Sequence, residues 1–120
     1  MFARVTTLEG PPEKIDEALR QVRERVLPRI RQYDGYNGFI ALGDREAGRV
    51  LGLTLWRSEQ ALRSTEEEAN RLRRETSETV GQAIASVESY EVPLLELRLV
   101  EEEQEDKGII DTAIDRISGH

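Results

Sequence analysis

Five side chains have the types and placement to line a small-molecule pocket: Trp56, Asn37, Arg4, Arg49 and Thr6. Trp56 is the single tryptophan of the chain and offers a broad apolar wall with one N–H donor. Asn37 follows Tyr36, with Tyr33 and Arg49 near the same hairpin, so amide, phenol and guanidinium groups could point into a space between sheet and helices. Against that, Tyr36 and Asn37 sit between Gly35 and Gly38, where turn geometry alone accounts for them. Arg4 and Thr6 share one face of the first strand-like run. An inward Arg4 would hold an anionic or phenolic ligand, whereas a strand-end arginine usually extends its head to water. None of these groups can be assigned a catalytic role from its type and position alone.

Other chemistries are excluded by composition. The chain has no cysteine, which removes disulfides, thiolate nucleophiles and Cys-rich metal centres. The lone histidine is the last residue, His120, so no metal site and no cofactor is expected. The formal net charge is −7, and residues 101–120 carry seven acids against two bases. A near-neutral body with an acidic tail has no footprint for phosphates, which argues against nucleic acid as a partner. The start MFARVTTL has no basic, apolar leader and no run is long enough to span a bilayer, so the expected setting is cytoplasmic with no membrane partner.

The elements that would position these residues follow from periodicity. Phe2–Leu8 is short and β-branched and stops at Gly10-Pro11-Pro12, where proline can open a helix but not extend a strand. Ile15, Ala18, Leu19, Val22, Val26 and Ile30 then recur at three- and four-residue steps, predicting a helix of about five turns. Pro28 predicts a kink or a loosened last turn, and Gly35 ends the helix. Tyr36–Leu42 and Arg49–Trp56 flank a polar loop with glycine at each end and predict an antiparallel hairpin. Ser58 reads as a helix cap. Ser64-Thr65-Glu66-Glu67 fits a capping box, so a short helix should precede a long one carrying Ala69, Leu72, Thr76, Val80, Ala83 and Ile84. The charges Glu66–Glu68, Arg71, Arg73 and Arg74 read as a solvated helix surface. Val87–Leu99 alternates and predicts the last strand, with Pro93 at a bulge or edge near its middle.

The order β-α-β-β-α-β predicts an α+β, ferredoxin-like antiparallel sheet with two helices on one face. Both sheet faces are apolar: Leu51, Leu53 and Leu55 oppose Val50 and Trp56, and Ile40 and Leu42 oppose Phe39 and Ala41. Two helices cover one face only. The other predicts a homodimer, sheet against sheet, closing a dimeric α/β barrel. Tyr90 is expected in the core or that interface.

Residues 1 to about 97 resemble the antibiotic-biosynthesis-monooxygenase (ABM) family of dimeric α+β barrels, through LWRSEQALRSTEE at 55–67 and SVESYEV at 86–92. The resemblance implies the same fold, a dimer and a pocket between sheet and helices. It also implies that Trp56 corresponds to the pocket tryptophan of the family's quinone-forming oxygenases, which use O2 without metal or flavin. Those enzymes pair it with an asparagine four residues earlier, which would hold the substrate oxygen as an enolate or phenolate forms, and a tyrosine six residues later. Here the two positions are Gly52 and Leu62. In the heme-degrading branch a second-helix tryptophan would fall near Thr65, and the axial histidine has no counterpart in the domain. The expectation is a cofactor-independent monooxygenase, or a related protein binding a small aromatic or phenolic molecule. The alternative is a non-catalytic dimeric module.

Residues 1–99 would form this domain and 100–120 a separate element. After the acidic hinge VEEEQEDKG, Ile110, Ala113, Ile114 and Ile117 fall at i, i+3, i+4 and i+7. So short a helix must dock to be stable: on its own dimer, a neighbouring dimer or another protein.

Overall fold

The computed structural model describes residues 1–98; the hinge and amphipathic helix expected after them lie outside the described residues. Strand β1 (Phe2–Glu9) leads through a 3-10 turn (Pro12–Lys14) into helix α1 (Ile15–Gln21), a π-helical turn (Val22–Val26) and helix α2 (Leu27–Ile30). A hairpin of β2 (Tyr36–Asp44) and β3 (Arg49–Trp56) follows, then helices α3 (Glu59–Ser64) and α4 (Glu66–Val80) and strand β4 (Ala83–Glu91). The sheet order is β2-β3-β1-β4 with every neighbouring pair antiparallel. This is the α+β, ferredoxin-like fold.

Register decides which residues meet the helices. Arg4 lies opposite Thr54, Thr6 opposite Gly52 and Leu8 opposite Val50 across β1–β3, and the pleat sends all six side-chain positions to the helix-covered face. Val5, Leu51 and Leu53 go to the reverse face with Ile40 and Leu42. There Ile40, Leu42 and Tyr90 remain exposed, Leu42 by about half (49%). Tyr90 therefore does not belong to the core; it donates its hydroxyl to Glu88 at the sheet edge (2.8 Å).

Three elements differ from the sequence expectation. The helix over 15–30 is not regular up to Pro28. Pro28 has no N–H to give the Glu24 carbonyl, and its ring needs the space beside that group. The turn before it widens instead, with the Leu27 N–H reaching Val22 O in an i→i−5 bond. Second, α4 stops at Val80 because Gly81 adopts a left-handed conformation (φ 72°) and closes the helix by donating to Ser77 O. Ala83 and Ile84, which continue the helical period, consequently open β4, and the strand spans 83–91 with Pro93 beyond its end. Third, the capping box at 64–67 does not form: α4 has no side-chain cap. Ser64 and Thr65 donate back to the carbonyls of Ala61 (2.8 Å) and Leu62 (2.9 Å). Ser58 does cap α3, its Oγ accepting from Ala61 N (3.1 Å).

Candidate functional site

A cavity of about 90 Å³ lies between the helix-facing side of the sheet and the helices. β1 contributes Arg4, Thr6 and Leu8, and β3 contributes Val50, Gly52, Thr54 and Trp56. Phe39 and Ala41 of β2 and Ala69, Leu72, Arg73 and Thr76 of α4 close further sides. Val22 and Val26, the two ends of the π-helical turn, stand in its wall. Such turns are rare and recur at functional sites; here the π-helical turn borders the cavity.

Trp56 is buried and packs with Ala61 and Leu62, and the ring of Tyr36 meets it edge-on (centroids 5.8 Å, 76°). Its indole N–H donates to Thr54 Oγ1 at 2.9 Å. The tryptophan is thus an apolar wall whose single donor is already used.

Arg4 does not extend to water; only 3% of it is exposed. The break between α3 and α4 makes this possible, because it presents unspent acceptors to the strand. Arg4 Nη2 donates to Leu62 O (2.7 Å), and both terminal nitrogens approach Thr65 Oγ1 (3.3 Å). Thr65, expected as part of a helix cap, is spent on holding this guanidinium. Glu66 lies 3.6 Å away and is half exposed, and the guanidinium stacks 5.8 Å from the Trp56 ring centroid. Arg4 Nε is buried without a partner. Burial lowers the Arg4 pKa and Glu66 opposes the shift; arginine stays charged regardless.

Arg73 projects from α4 into the same lining and donates to Asn70 Oδ1. Burial lowers its pKa first, and the like charge of Arg4 adds to the effect. Tyr33 stands at the wall beyond α2, its phenol pKa raised by burial and then by Glu68.

Of the five residues picked out by type and spacing, Arg4, Thr6 and Trp56 therefore line one cavity. Asn37 and Arg49 are exposed and do not. Asn37 falls at a register shift between Tyr36 and Gly38, and Arg49 bonds Glu9 across the strands (Nε–Oε2 2.9 Å). Arg73 was missed because it sits inside a charge run. Its signal was present: Ala69, Arg73 and Thr76 fall at i, i+4 and i+7, one stripe of α4. Among the described residues no cluster of three His, Cys, Asp or Glu side chains could hold a metal ion, and no helix is long and apolar enough to cross a membrane.

The family model described as antibiotic biosynthesis monooxygenase matches residues 1–69. The chain belongs to the ABM family. The uncharacterized protein Rv2557 of Mycobacterium tuberculosis is 32% identical over 92 residues, which is 77% of this chain and 41% of that protein. The chain thus spans about two fifths of that relative's length. Among solved structures, a monooxygenase from the gene ActVA-Orf6 of Streptomyces coelicolor, in complex with nanaomycin D, superposes with a TM-score of 0.63 at 18% identity, covering 82% of this chain and 92% of that one. The heme-degrader MhuD of M. tuberculosis, with two hemes bound in its active site, gives 0.60 at 20% identity, covering 80% and 99%. At these identities the likeness is one of fold.

Within this ABM domain the two positions singled out by the resemblance, Gly52 and Leu62, stand differently about the cavity. Gly52 lines the cavity, and a Cβ there would stand 3.3 Å from Phe39 Cε1. The space a longer side chain would need is already partly filled. Leu62 is buried against Trp56 and Ala61 and does not reach the cavity.

Proposed function

We propose that the protein is a small-molecule-binding member of the ABM family, acting as a homodimer, with the cavity between sheet and helices as its site. One observation carries this reading: an apolar cavity into which a charged side chain, Arg4, is built with its Nε unmatched. Binding sites are mostly apolar with a few placed polar groups, which is the composition found here. Arg4, Thr6 and Trp56 are the site residues of this proposal, with Arg73 and Tyr33 added. The homodimer rests on Ile40, Leu42, Leu51 and Leu53 on the sheet face away from the helices. Light scattering at micromolar concentration should give twice the chain mass, and a clean monomer would overturn the dimer.

Cofactor-free oxygenation by the family's usual groups has little support, since Gly52 and Leu62 supply neither amide nor phenol. Heme degradation has less: no histidine is present among residues 1–98 to ligate iron, and the cavity is far below heme size. Incubating anthrone-type and quinol substrates under O2, with wild type and Trp56→Phe compared, tests the chemistry directly. Turnover lost in the variant would establish an oxygenase. No turnover in either protein is the expected result, with Trp56 fluorescence reporting the binding of smaller ligands. The small cavity also favours a second reading, a non-catalytic dimeric module with a side-chain-filled barrel, and absence of any ligand-dependent change in that fluorescence would select it.

A further inference from the structure

Resting on the reading of this cavity as a binding site, we propose that its ligand is a compact organic carboxylate seated between Arg4 and Arg73. The cavity lining contains these two guanidinium side chains and no aspartate or glutamate, although residues 1–100 carry 17 acids against 15 bases. A cationic interior is therefore not a by-product of composition. It is local, and both charges come from separate elements, β1 and α4, that converge on one space.

The geometry around Arg4 makes it a receptor held ready. Leu62 O and Thr65 Oγ1 fix the terminal nitrogens, so little side-chain freedom is lost when a ligand arrives. Glu66 offsets part of the positive charge from outside the cavity lining and is itself half exposed, so one acid faces two arginines and the balance stays positive. Nε, buried without an acceptor, is an unmet donor whose desolvation nothing offsets. An incoming carboxylate oxygen would satisfy it. Arg73 gains from the same event, because the charge of Arg4 acts against its own and an anion between them screens both.

Size and protonation narrow the class. A cavity of about 90 Å³ is smaller than the roughly 150 Å³ that admits benzene, so a small acid suits it better than a polycyclic quinol. A phenol, ionised only near pH 10, would arrive neutral at pH 7; a carboxylic acid would arrive charged.

The test uses intact protein and four probes in two isosteric pairs: isobutyrate with isobutyramide, and propionate with propionamide. Trp56 is the sole tryptophan and lines the cavity, so its fluorescence reads occupancy, with calorimetry as the second readout. Each carboxylate should bind at least tenfold more tightly than its amide. Arg73→Gln should remove most of that preference by weakening carboxylate binding; this partly buried position keeps the test usable if Arg4→Gln unfolds. Amides binding as tightly as carboxylates, or a preference surviving both substitutions, would overturn the carboxylate and leave the cavity as a binding site. Failure of all four probes to bind would overturn the binding-site reading, and the carboxylate with it.

Discussion

Replacing Arg4 by methionine separates a role in the fold from a role in the cavity. The side chain makes a charge-assisted bond to Leu62 O, two longer ones to Thr65 Oγ1 and a 3.6 Å ion pair with Glu66. Hydrogen bonds to charged groups contribute about 1.5–3 kcal/mol each, which taken alone forecasts a large loss. The partners left behind decide otherwise. Leu62 O keeps the Thr65 hydroxyl as a donor (2.9 Å), and Glu66 is half exposed and rehydrates. No buried group is orphaned. Removing the guanidinium also relieves a desolvation cost of several kcal/mol, and the methionine stem packs against Trp56. The balance should leave Arg4→Met within about 1.5 kcal/mol of wild type, no more than about 10 °C in Tm for a domain of this size. Urea unfolding at fixed protein concentration measures it, because the stability of a dimer depends on concentration. The midpoint should shift slightly with an unchanged slope. A loss of about 3 kcal/mol or more, typical of breaking a buried pair, would refute this reasoning and make Arg4 a structural residue.

Ser58→Ala removes the acceptor for Ala61 N at the start of α3 and should cost about 1 kcal/mol in the same unfolding assay; an unchanged midpoint would mean water replaces the cap. Gly48→Ala should cost at least about 2 kcal/mol, because the residue sits at φ 69° and its Cβ would fall 1.9 Å from Gly10 O; soluble yield and Tm report it. Glu17 has its pKa lowered by hydrogen bonds from Arg20 and Gln21. Its contribution is therefore complete above the unfolded value of about 4.3 and lost as pH falls through the lowered folded value. Glu17→Gln should flatten the acid limb of the stability–pH curve below about pH 4.3, and an identical limb in both proteins would count against the pair.

How far the site could be read from the sequence depends on what fixes each residue's face. On β1 and β3 parity is enough. Arg4, Thr6 and Leu8 alternate with Val5 and Thr7, and the register with Thr54, Gly52 and Val50 follows from an antiparallel pair without a break. Trp56 has the parity of Val50, so its place on the helix-covered side was legible. The same parity places Arg49 with Leu51 and Leu53 on the opposite side, an argument available in the sequence but outweighed by its nearness to the hairpin. Asn37 was not legible in that way. The shift between Tyr36 and Gly38 puts Tyr36 opposite Trp56 and Gly38 opposite Leu55. Asn37 becomes the extra residue of a bulge, and nothing in YNGFIAL marks where alternation slips.

Helical periodicity failed at analogous breaks, and one of them shapes the cavity. Pro28 signals a disturbed helix, but a kink, a frayed turn and a widened turn all satisfy a missing N–H. The widened turn is found, with Val22 and Val26 at its ends. An added residue per turn shifts the positions that face the sheet, so two valines that read as ordinary core become cavity wall. The break between α3 and α4 acts similarly: carbonyls that a continuous helix would use internally become available, and Leu62 O is taken by Arg4. A buried arginine on a strand needs acceptors from elsewhere in the fold. The sequence holds both halves of that requirement, Arg4 and the Ser-Thr at 64–65, sixty residues apart, and only the packing of β1 under the α3–α4 break brings them together. That dependence is why snorkelling was the reasonable expectation for Arg4, and why its burial points to the cavity it faces.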